Sequence, residues 1–159
     1  MKVREMRKLK KGIALGTLLA LAPIAQANAA SCSAQVHSEA VAVRILQSEL
    51  TVGALACDQH QQYAAFVQQH EPTLREYGSV LTDYFFNRYG RAEGQRALDS
   101  FVTRLANEAS SRKSGWASHY CTFVSALHHQ ASSLPSASLG SFASRQPQAR
   151  RLQHDDLCP

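Results

Sequence analysis

The stretch SEAVAVRILQSELTVGALAC, residues 38–57, decides the fold class. Leu46, Leu50, Gly53 and Cys57 step by four, three and four along it, which is the period of one helix face. Val41, Ile45, Val52 and Ala56 widen that face to the extent expected of a largely buried helix. A glycine costs such a helix about 1 kcal/mol relative to alanine, so a close crossing by a second helix is expected at Gly53.

Working towards the C-terminus, Asp58 with Gln61 three residues on is expected to cap a short helix through His70, with Tyr63, Phe66 and Val67 facing inward. Glu71-Pro72 is expected to end that helix and begin another, Pro72 taking the first-turn position. From Pro72 to Tyr89 the residues Leu74, Tyr77, Leu81, Tyr84 and Arg88 share a stripe, closed by Gly90. Leu98, Phe101, Val102, Leu105 and Ala109 continue the period over residues 91–111, with Arg104 and Glu108 as an outward i,i+4 pair. After the break at Lys113-Ser114-Gly115, residues Trp116, Tyr120, Phe123, Val124 and Leu127 form a fifth stripe. No alternating β-type segment interrupts this stretch. The expected fold is all-α: an irregular bundle of about five helices over residues 38–130.

The two ends differ from this core. Residues 1–11 carry Lys2, Arg4, Arg7, Lys8, Lys10 and Lys11 against one acid, Glu5. The apolar run IALGTLLALAPI (13–24) and the small residues Ala27 and Ala29 follow, so residues 1–29 read as a cleavable secretory signal peptide. The run is shorter than a bilayer span and contains Pro23, so no transmembrane span is expected. Cleavage after Ala29 leaves 130 residues, and beyond residue 11 the chain holds 11 basic and 11 acidic residues. That balance gives no general basis for nucleic-acid binding. The expected location is periplasmic or secreted. Residues 30–131 then form the helical domain. Residues 132–159 form a Ser/Pro-rich tail whose composition orders poorly alone, with a short helix expected at 137–144 and Cys158 tying the tail back.

Four cysteines remain after export: Cys32, Cys57, Cys121 and Cys158. In an oxidising compartment they read as two disulfides with three possible connectivities. The simplest pairs Cys57 with Cys121, inside expected helices, and Cys32 with Cys158, near the two mature termini. No C-x-x-C pair suggests redox catalysis. LQSELTVGALAC (46–57), YAAFVQQHEPTLREYGSVLTDYFFNRYG (63–90) and FVTRLANEAS (101–110), followed by Tyr120-Cys121, resemble a group of short exported proteobacterial proteins. The resemblance spans about 85 residues. It implies a compact helical domain with cysteines at 57 and 121. It brings no activity, so no catalytic residue is carried over.

The chemistry-bearing residues are dispersed. No two of the seven histidines stand at i,i+4 and H-E-x-x-H is absent; His128 or His129 would serve a weak metal site, but no metal or cofactor is expected. There is no G-x-S-x-G elbow and no glycine-rich phosphate loop. Glu49, Glu76, Asp83, Glu93, Asp99 and Glu108 read as acids of helix polar faces, with no catalytic role assigned. Two clusters are candidates for binding. Arg88, Arg91 and Arg96 surround the expected turn at Gly90, where planar guanidinium donors suit an anion or acidic partner. Arg104, Asn107 and Glu108 mix donors and acceptors on one helix, and the aromatic stripe Tyr77, Tyr84, Phe85, Tyr89 lies nearby, as core or as a groove wall.

The reading that follows is a small exported envelope protein acting by binding, as an accessory or adaptor, with an envelope protein or small ligand as partner. The alternatives are a periplasmic enzyme acting on cell-wall material through carboxylates or histidines, and a pH-linked envelope stress protein.

Overall fold

Helix α1, Ala25–Ala56, is the axis around which the other helices are arranged. The computed structural model describes residues 25–115 and 119–152. After α1 come α2 (His60–Tyr89), α3 (Arg91–Gly115), α4 (Tyr120–Ser132), a 3-10 turn at Ser136–Ser138, α5 (Leu139–Arg145) and α6 (Pro147–Leu152). The fold is all-α, and no strand occurs among the described residues. Packed against all five other α-helices, α1 buries residues on every side, among them Val41, Val43, Ile45, Leu46 and Leu50. A helix with so wide an apolar face is suited to that place.

Gly53 lies where α1 crosses α4. A β-carbon there would sit 2.1 Å from Val124 Cγ1, so the crossing needs the missing side chain. Beside this contact Cys57 and Cys121 form a disulfide, with Cα atoms 5.5 Å apart and 64 residues of sequence separation. Closing a loop of that length stabilises by about 4 kcal/mol through the unfolded chain's lost entropy. Cys32 falls within α1, and Cys158, its expected partner, lies outside the described residues, as do residues 1–24, which hold most of the expected signal peptide, and Trp116.

Two expectations about the helices are corrected. Residues 60–89 form one helix rather than two, with Pro72 inside it. Phe66, His70, Leu74, Leu81 and Phe85 make a continuous buried stripe, and Pro72 falls on the exposed side, where water can satisfy the carbonyl that loses its amide partner. Asp58 does not cap α2; the helix starts after Gln59 with no side-chain cap. Instead Asp58 adopts φ 54°, and the Gln59 amide donates to Ala54 O at 3.0 Å. That is a Schellman closure of α1, with aspartate in the left-handed position usually held by glycine. On α3 the Arg104 guanidinium lies 5.6 Å from the Phe101 ring centre, and Glu108 faces Arg112 at 3.9 Å.

The tail is a packed part of the bundle through residue 152. Leu139, Phe142, Ala143 and Ala149 are buried against the domain. The fully buried His70 fastens its start, with Nε2 3.0 Å from Ala131 O and Nδ1 2.9 Å from Ser136 Oγ. Gln69 donates from Nε2 to Leu134 O at 3.1 Å. Gly140 completes the contact, since a β-carbon there would fall 2.1 Å from the Tyr77 hydroxyl and 2.5 Å from Glu39 Oε2. A sparse apolar composition therefore suffices, because helices α1 and α2 already present the complementary surface. Among the described residues, no helix is long and apolar enough to cross a membrane.

Candidate functional site

Two of the expected binding arginines, Arg88 and Arg104, flank one aromatic face where α2 meets α3. The turn between these helices is held tight by two glycines. Gly90 has φ 76°, and at Gly94 a β-carbon would lie 2.7 Å from Phe85 O. This close approach sets Phe85 against Phe101 across the helix pair, ring centres 5.7 Å apart. Tyr89 stacks on Phe85 at 6.2 Å, and Tyr84 meets Phe85 edge-on at 5.4 Å. Tyr84, Phe85, Tyr89, Ser100, Phe101 and Arg104 line a groove of about 280 Å³.

Tyr89 is 48% exposed, one of the few large apolar side chains on the outside. The Arg88 guanidinium sits 5.6 Å from its ring centre and donates from Nε to the Tyr89 hydroxyl at 3.1 Å. That hydrogen bond raises the Arg88 pKa above its ordinary value, and a guanidinium is charged at any working pH. Of the aromatic stripe, Phe85 is buried in the core and Tyr89 is exposed.

The remaining expected residues lie elsewhere. Arg91 lies over Phe86, 5.6 Å from its ring centre. Arg96 is paired with Glu93 one turn earlier on α3. Asn107 and Glu108 are exposed on α3 and do not line the groove.

Two buried polar networks escaped the sequence reading. Glu49, grouped there with acids of helix polar faces, is 1% exposed and bound by Arg112 through Nη2 at 2.6 Å and Nε at 2.8 Å, both to Oε2. Glu49 Oε1 and the Tyr120 hydroxyl are buried without a hydrogen-bond partner among the described residues. Burial, then the negative charge of Glu49, pushes the Tyr120 phenol far up, so it stays protonated. The position of Glu49, three after Leu46 and four after Ile45, was the available signal: it falls on the apolar face.

The second network ties the α1–α2 corner to α4. Gln59 donates from Nε2 to Cys121 O at 3.3 Å, leaving Oε1 to accept from His128 Nδ1–H at 3.0 Å. His128 is 2% exposed and its Nε2 has no partner among the described residues; burial lowers its pKa and keeps it neutral. Cys121 is held in the disulfide with Cys57. Among the described residues no group of three or more His, Cys, Asp or Glu side chains converges to hold a metal ion.

Comparison with protein-family models, with curated proteins and with solved structures finds no match to this chain.

Proposed function

We propose that the chain is a small exported envelope protein that acts by binding, as an accessory or adaptor, and that the α2–α3 corner is its contact face. One observation carries this reading: an exposed tyrosine, Tyr89, is locked by Phe85 beneath it and Arg88 beside it, at the edge of a groove closed by Phe101 and Arg104. Tyrosine and arginine dominate the energetics of protein interfaces because they offer large contact area with directed hydrogen bonds. Here both are pre-positioned on two rigid helices, which lowers the ordering cost of association. The basic n-region, short apolar run and Ala-x-Ala site support export to the periplasm or beyond. A Cys57–Cys121 disulfide suits such an oxidising compartment.

The test is co-purification from the envelope of the native host, followed by native mass spectrometry. Wild-type chain is expected to retain a partner at defined stoichiometry. The variant Arg88→Ala/Tyr89→Ala, altering two exposed residues, is expected to keep its fold and bind that partner at least about 100-fold more weakly, as loss of two anchors implies. A retained partner at unchanged affinity would overturn the assignment of this face.

A further inference from the structure

A second groove, of about 430 Å³, opens between α1, α2 and α3. Its volume falls in the range of small-molecule pockets. Val43, Leu74, Leu81 and Val102 supply apolar wall, while Arg44 and Asp99 bring opposite charges to it from α1 and α3. Arg44 is half-buried on the central helix, and its guanidinium has no ion pair or side-chain hydrogen bond among the described residues. Asp99 accepts from Gln95 Nε2 at 2.9 Å through Oδ1, which leaves Oδ2 for another donor. Arg44 and Asp99 share the groove without forming an ion pair with each other.

Gly78 on α2 also borders this groove. Its backbone is helical, with no positive φ, and a β-carbon there would find nothing within 4 Å among the described residues. Neither conformation nor packing requires glycine, yet glycine inside a helix costs about 1 kcal/mol relative to alanine. What the missing side chain provides is room in the groove. Tyr77, the preceding residue, is held in the wall by donating to Glu39 Oε2 at 2.8 Å, and burial followed by that bond pushes its pKa up to about 12.

We propose that this groove binds a short zwitterionic peptide with apolar side chains, about two residues long, its carboxylate on Arg44, its ammonium on Asp99 and its side chains against the half-buried Leu98 and Val102. Opposite charges that do not pair with each other select a ligand that carries both, and the apolar lining of the same groove selects aliphatic side chains. A guanidinium presents planar paired donors that match a carboxylate. This site is separate from the aromatic corner, so either assignment can fail without the other.

Isothermal titration calorimetry of the full exported chain with the dipeptide Leu-Leu tests it. Saturable binding at one site is expected, with Leu-Leu amide and N-acetyl-Leu-Leu each at least about tenfold weaker, the loss of one charge-assisted contact. Arg44→Gln should weaken Leu-Leu by a similar factor and leave the amide unchanged; Asp99→Asn should do the same for the N-acetyl compound. Gly78→Leu, which fills the groove, should abolish binding while the melting temperature holds or rises. The proposal is overturned if Leu-Leu shows no binding up to about 10 mM, a limit weaker than −4 kcal/mol. Binding that survives Gly78→Leu, or amide binding as sensitive to Arg44→Gln as the dipeptide, would overturn it equally.

Discussion

Replacing Arg112 with methionine removes the cation facing Glu49 while keeping most of the apolar stem. The carboxylate is 1% exposed and receives both of its hydrogen bonds from that one side chain. Leaving one partner of a buried ion pair alone costs about 3–5 kcal/mol. Arg112 itself is 19% exposed, so solvent already reaches the pair from one side and the lower end applies, about 3 kcal/mol. For a domain whose total stability is about 5–15 kcal/mol this is a large fraction. Urea unfolding at pH 7, followed by far-ultraviolet circular dichroism, should show the midpoint falling by about 1.5 M at an m-value near 2 kcal/mol/M. Glu49→Leu in the same chain should restore most of the loss, since a buried pair replaced by apolar side chains is near neutral. A loss below about 1 kcal/mol for Arg112→Met alone would refute the reasoning and place the pair in the solvated class.

The other expectations use different measurements. His128 is buried neutral with a lowered pKa, so the unfolded chain takes up a proton below about pH 6.5 that the native state does not. Stability should therefore be fully present above about pH 6.5 and fall as pH drops, by up to about 1.4 kcal/mol per unit, with a shallower slope in His128→Asn. Gly140→Ala should destabilise by about 1–3 kcal/mol in denaturant titration, because the new methyl meets Tyr77 and Glu39 at sub-contact distance. Asp58→Gly should raise the melting midpoint by relieving about 1 kcal/mol of left-handed strain. In an ultraviolet titration of the five tyrosines, Tyr77 and Tyr120 should remain protonated at pH 11 while the chain stays folded.

The helical period of residues 38–57 carried most of the fold, because a buried stripe must recur every three or four residues wherever the helix packs. The same reasoning placed a helix crossing at Gly53, and α4 supplies it. Pro72 misled because its effect depends on which side of α2 meets water, a tertiary property absent from local sequence. Asp58 misled for a related reason: aspartate serves both as a cap and in the left-handed position, and the short α1–α2 turn selects the second. The tail's order rests on surfaces built by residues far away in sequence, such as His70 and Tyr77. At the aromatic corner Arg88 and the tyrosine stripe were legible, since consecutive turns of one helix bring them together. Arg44 and Gly78 were not, because one looks like an ordinary exposed charge and the other like a weak point in a helix until three helices enclose the same space.

The central claim, that the α2–α3 corner is a contact face, is tested most directly by a photoreactive amino acid placed at Ser100 in the groove and, as a control, at Ser79, an exposed α2 position outside it. Irradiation in the native envelope should give one discrete protein adduct from position 100 and none from position 79, with the adduct lost in Arg88→Ala/Tyr89→Ala. No adduct from position 100, or the same adduct from both positions, would contradict the account.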